Sequence, residues 1–162
     1  MGVPHPAPTL LQGFATGSAR APSWSPMTAH ETLILDAAAQ SHVFWLERLH
    51  ADASRGRTEH SAEAARRVDA CALGHWLHAG ARPSVRELEP YRTVVEVHTR
   101  FHAMAGDILD LVLQGERAEA LHRLDVNGEF MMLSGQLLVG LRALQAADAE
   151  AYGAYQECAS GI

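Results

Sequence analysis

Leu88 to Val112 reads LEPYRTVVEVHTRFHAMAGDILDLV, and this stretch decides the fold. Leu88, Tyr91, Val95, His98, His102, Ala105, Leu109 and Val112 recur at alternating steps of three and four residues. That is a heptad seam, the pattern of a helix that faces others in a bundle. Gly115 closes it. Two of the core-facing positions, His98 and His102, are histidines, which a purely apolar seam would not carry.

Working outward, the flanking segments read as helices too, and no strand signal matches them in quality. Thr28 and Glu31 form a capping-box pair at the start of a first helix. Ile34, Ala38, His42, Trp45 and Leu49 then make one stripe along it, and Ser54-Arg55-Gly56-Arg57-Thr58 ends it. A second helix is expected from about Ser61 to Leu77, ending near Gly80, with Ser84 and Glu87 as another capping box. A last helix is expected from about Glu116 to Ala147. Its apolar rows are Leu121, Leu124, Met131, Leu138 and Phe130, Leu133, Leu137, Leu141, Leu144, with Gly128 as a kink or a close approach. Short connections between long helices imply antiparallel neighbours. The expected fold is all-α, an antiparallel four-helix bundle with a disordered N-terminal extension.

The chain of 162 residues suffices for one domain with a core, and its 48% hydrophobic content suits helices packed on helices. The net charge of −6 gives no basic face for nucleic acid. No apolar run is read as long enough to span a bilayer. Residues 1–27 hold five of the seven prolines and lack the features of a secretory signal, so they are expected to be disordered. Met27 is an alternative start. The domain is expected over 28–150, with a tail over 151–162. The two cysteines, Cys71 and Cys158, are expected to be reduced thiols.

The chemistry lies in four side chains. His98 and His102, four residues apart, share one helix face with Cβ atoms about 6 Å from each other. Each could equally be a core histidine with a local hydrogen bond. His42 sits on the apolar stripe of the first helix, where its ring needs a partner. Cys71 falls on a stripe with Ala64 and Val68, where a cysteine often serves as a small hydrophobe. Three helices each turn a nitrogen or sulfur donor inward, and a bundle core is where metal sites are built. Three imidazoles and a thiolate suit tetrahedral zinc and disfavour magnesium or calcium.

The sequence also resembles a known family. Cys71-Ala72-Leu73-Gly74-His75-Trp76-Leu77 is similar to the Cys-x-Leu-Gly-x-Trp-Leu signature of the chemoreceptor zinc-binding (CZB) family. His42-Val43-Phe44-Trp45 and His98-x-x-x-His102 match its other elements in order, at separations of 29, 27 and four residues. The resemblance covers about Glu31 to Leu144. It implies one zinc per chain held by His42, Cys71, His98 and His102, and a bacterial, cytoplasmic homodimer. It further implies a role in chemotaxis or redox sensing, with a chemoreceptor or diguanylate cyclase as partner in trans. A purely structural zinc module for dimerisation or docking is the other reading. An enzyme is not expected: a His-Glu-x-x-His motif is absent, and Asp36, Glu96 and Asp107 are poorly placed for a di-iron site. His75 and His78 are alternative ligands, and Trp45 and Trp76 are large enough to wall the site from water.

Overall fold

A computed structural model describes residues 24–160. Among these residues the chain is all-α, with no strand. The helices are α1 (Ala29–Arg55), α2 (Ala62–Arg66), α3 (Ala72–His75), α4 (Pro83–Arg86), α5 (Glu89–Leu113), α6 (Arg117–Arg123) and α7 (Glu129–Ser160), with a π turn at Trp76–Gly80. The expected disorder of residues 1–27 falls, for all but the last four, outside the described residues.

α1 begins as its sequence dictates. The Thr28 hydroxyl accepts from the Glu31 N–H, and the Glu31 carboxylate accepts in turn from the Thr28 N–H. The helix ends where Gly56, at φ 65°, takes the left-handed conformation that a Cβ would strain. Gly115, at φ 80°, does the same after α5.

Four sequence expectations are corrected. The helix expected over Ser61–Leu77 is broken after Arg66, and Cys71 stands at the N-cap of α3, its sulfur accepting from the Gly74 N–H at 3.2 Å. Gly128 marks a break between α6 and α7, not a kink: its N–H reaches back to the Asp125 carbonyl, and a Cβ there would lie 2.9 Å from that oxygen. Ser84 caps nothing, since α4 starts on Pro83 with Arg82 as its N-cap. The last helix also runs on to Ser160, through residues assigned to a tail.

α5 packs against α1, α2 and α7. It is therefore buried over more than one seam, and Val94, Val97 and Phe101 join His98, Ala105, Leu109 and Val112 in the interior. The row Phe130, Leu133, Leu137, Leu141 and Leu144 of α7 is buried along its whole length. By length and composition α7 is apolar enough to cross a membrane, unlike the sequence expectation. Its apolar row, however, is taken up by packing on the other helices.

Two apolar clusters result. One joins Leu35, Leu73, Trp76, Leu77 and Leu137, and the other joins Leu49, Phe101, Ile108 and Phe130. A polar clasp closes the first. Arg82 bonds Glu31 at 3.2 Å and Asp148 at 3.3 Å, and the buried Asp148 carboxylate also accepts from the Met27 N–H. The start of α1, the loop before α4 and α7 are thereby held together.

Candidate metal centre

Between the two clusters, α5 presents His98 and His102 on adjacent turns. Their Nε2 atoms are 3.1 Å apart, and the Cys71 sulfur lies 3.3 Å from His98 Nε2. The donor atoms of Cys71, His98 and His102 all fall within 4.8 Å of one another. Around a tetrahedral zinc the nitrogen–nitrogen and sulfur–nitrogen edges are about 3.4 and 3.6 Å, as follows from ordinary zinc bond lengths. The 3.1 and 3.3 Å separations are close to those edges.

The sulfur arrives from the break between α2 and α3. α2 is anchored on α5 by Arg66, which reaches Asp107 at 2.5 Å and Asp110 at 2.6 Å. α3 is seated so closely that a Cβ on Gly74 would lie 1.6 Å from the Val68 carbonyl oxygen and 3.1 Å from His98 Cε1. Only glycine fits between that carbonyl and the imidazole.

Backbone carbonyls set two of the imidazoles. His102 Nδ1 is 2.6 Å from the Ala65 oxygen, and His42 Nδ1 is 2.7 Å from the Ala38 oxygen. A carbonyl only accepts, so Nδ1 is the protonated nitrogen in both neutral rings and the lone pair is on Nε2. Metal-bound histidines are oriented by this kind of outer contact. His42 is 4% exposed, its ring centroid is 6.0 Å from that of His98, and its Nε2 is buried without a hydrogen-bond partner. A buried lone pair with no donor is costly and asks for an occupant. His98 Nδ1 is also buried and unpartnered.

Burial sets the protonation of the group. It pushes the His98 imidazole down to about 3, with His102, His42 and His78 adding repulsion. His42 and His102 are likewise lowered by burial. The Cys71 thiol is raised by burial, against the pull of the Gly74 and Leu73 N–H groups. The rings are thus neutral and ready to ligate, while the thiol must give up its proton to do so.

Other sequence candidates lie elsewhere. His75 and His78 are exposed and outside the cluster. Asp107 is held by Arg66 and Asp36 by Gln145. Cys71 and Cys158 are both free thiols. Trp45 borders the site, whereas Trp76 belongs to the apolar cluster beyond it. The carbonyls of Ala38 and Ala65 were not foreseeable, because a carbonyl has the same chemistry in every residue. A cavity of about 80 Å³ opens between α1 and the α2–α3 segment, with His42, Cys71 and His102 on its walls.

An all-α domain with a partly buried Cys/His cluster between its helices defines the class of helical proteins with a candidate metal site. Residues 42–109 match the family model of the chemoreceptor zinc-binding domain, and over that segment the chain is similar to the CZB family. The match runs from His42 to Leu109, narrower than the stretch on which the sequence resemblance was drawn. No curated protein and no solved structure matches the chain. The family is one of sensory and regulatory domains, and its metal is zinc; the donors present here fit that ion.

Proposed function

We propose that the chain is a zinc-responsive regulatory domain that holds one zinc ion through His42, Cys71, His98 and His102. The observation that carries this is the convergence of the Cys71, His98 and His102 donors within 4.8 Å of one another, with the unpartnered Nε2 of His42 buried nearby though outside that group. Bound there, zinc supplies a redox-inert positive charge that keeps the thiolate and three neutral rings at one point.

The two apolar clusters on either side favour sensing over a purely structural role. Both are built from apolar side chains, with Cys71 only packed against the edge of the first, so the helices keep their core when the metal leaves. Cys71 is also the one ligand outside a long helix. Loss or oxidation of its sulfur removes a donor and frees the α2–α3 segment to shift against α5. In this reading the bundle is four-cornered and antiparallel, with the segmented α2–α3 run as its fourth corner. The domain acts as a cytoplasmic homodimer and signals in trans to a chemoreceptor or a diguanylate cyclase. It regulates and does not catalyse.

Elemental analysis of the protein purified without chelator tests the site. One zinc per chain is expected, lost in Cys71→Ala with helical circular dichroism retained. Metal content near zero in the wild type overturns the assignment. A zinc-free form that stays folded and rebinds the ion supports sensing, whereas unfolding on removal supports the structural role.

A further inference from the structure

We infer that the cleft between α1 and the α2–α3 segment is a filter, which admits small uncharged solutes to Cys71 and turns away charged or bulky ones. The inference deepens the proposed function and rests on it for the meaning of Cys71 as a switch.

Access to the sulfur is one-sided. On the α3 side, the backbone of Gly74 is pressed against Val68 and the wholly buried His98 ring. On the other side, Cys71 lines the cavity, and its mouth is rimmed by Ala37, Ser41, Trp45 and Ala72. The volume of about 80 Å³ leaves room for a solute of a few heavy atoms. No Asp, Glu, Lys or Arg lines the cavity. A charged solute entering would therefore shed its hydration with no counter-charge to meet.

Trp45 is the gatepost. Its indole packs at 5.5 Å on the His60 ring, which lies 4.0 Å from the buried Asp52 carboxylate. Asp52 also holds Thr58 and Arg55, so the α1–α2 connection fixes the indole from behind. The pocket bearing Arg48, Arg55 and Arg57 is separate from this cleft.

The test uses the full chain carrying Cys158→Ser, stripped of metal, and two alkylating reagents alike in size and mechanism. With iodoacetamide or iodoacetate the Cys71 thiolate attacks the methylene carbon, an S–C bond forms, and iodide leaves with the electron pair of the C–I bond. The thiolate fraction cancels from the ratio of the two rates. Mass spectrometry is expected to give a neutral-to-anionic ratio at least tenfold higher in the native protein than in the same chain unfolded in guanidinium. Ser41→Arg, an exposed rim change, should bring that ratio down toward the unfolded value by drawing in the anion. Trp45→Ala should speed modification by N-pyrenylmaleimide relative to N-ethylmaleimide severalfold. A native ratio equal to the unfolded one, or no response to Ser41→Arg, overturns the filter. The ligand assignment fails separately: added zinc would then leave Cys71 alkylation unslowed while the reagent ratio stayed high.

Discussion

His102 Nδ1 lies 2.6 Å from the carbonyl oxygen of Ala65, a residue 37 positions earlier in the chain. The short helix α2 thus dictates which nitrogen of an α5 histidine faces the metal site. Arg66, the next residue, is what ties α2 to α5 through Asp107 and Asp110.

Arg66→Ala is therefore expected to weaken zinc binding by about tenfold, the lower end for loss of an outer orienting contact. The exposed ion pairs themselves contribute about 1 kcal/mol or less to folding. Competition against a chromophoric chelator reads the first effect and thermal unfolding the second. A loss of stability with affinity intact would separate α2 from the tuning of His102.

Gly74→Ala is the sharpest steric test. The added methyl would stand 1.6 Å from the Val68 oxygen, and backbone gives way less readily than a side chain. Overpacking of this kind costs about 1–3 kcal/mol or more. Because the displaced segment carries Cys71, zinc stoichiometry should fall together with the unfolding midpoint. Full zinc content in the Gly74→Ala protein would contradict the close packing of α3 on His98.

His42→Phe distinguishes ligation from packing. The ring is replaced at similar volume, and the buried Nε2 without a partner disappears. The metal-free protein should unfold no earlier than wild type, since an unsatisfied buried acceptor costs about 1–3 kcal/mol. Zinc affinity should fall by more than about 100-fold, beyond what outer contacts account for. A metal-free variant much less stable than wild type, with affinity unchanged, would mean that His42 is a core residue.

The long helices were legible because their signals are local: a capping box at Thr28, a left-handed glycine at Gly56, and the unbroken row from Phe130 to Leu144. The candidate ligands were legible because a ring or thiol on an apolar stripe is conspicuous in a single sequence. The break after Arg66 was not. Ala64, Val68 and Cys71 keep helical spacing, and only the tertiary contact of Gly74 with Val68 and His98 reveals that the chain leaves the helix between them. The breadth of burial on α5 was likewise hidden. A seam can be read from periodicity, but helices packed on several sides bury residues such as Val94 and Phe101 that lie off it.

The clasp at the far end offers a test of the fold independent of metal. The Asp148 carboxylate is 3% exposed and meets both Arg82 and the Met27 N–H. Asp148→Ala leaves the guanidinium with Glu31 and Ser25 as its partners and the Met27 N–H without its acceptor. Losing this charge-assisted bond and leaving the Met27 N–H unsatisfied costs about 1–3 kcal/mol. Denaturant unfolding should show a loss of that size, with zinc stoichiometry unchanged in whatever remains folded.

The pH dependence of the metal-free protein follows from the same buried rings. His98 titrates at about 3 in the folded chain against 6.5 for an ordinary histidine, and His42 and His102 shift in the same direction. The unfolded chain therefore binds more protons below pH 6.5, and stability present above that value drains away as the solution is acidified toward pH 3. Each such imidazole removes about 1.4 kcal/mol per pH unit over the range where only the unfolded form is protonated. Cys71 acts at the other end. Its thiol is raised above the ordinary 9.0, so its share of stability is lost as pH climbs past that value. Urea unfolding at a series of pH values should give a plateau between roughly 6.5 and 9, falling on both sides. In His98→Phe the acid limb should become shallower by about one proton. An unchanged limb would show that the imidazole of residue 98 is already protonated in the folded chain.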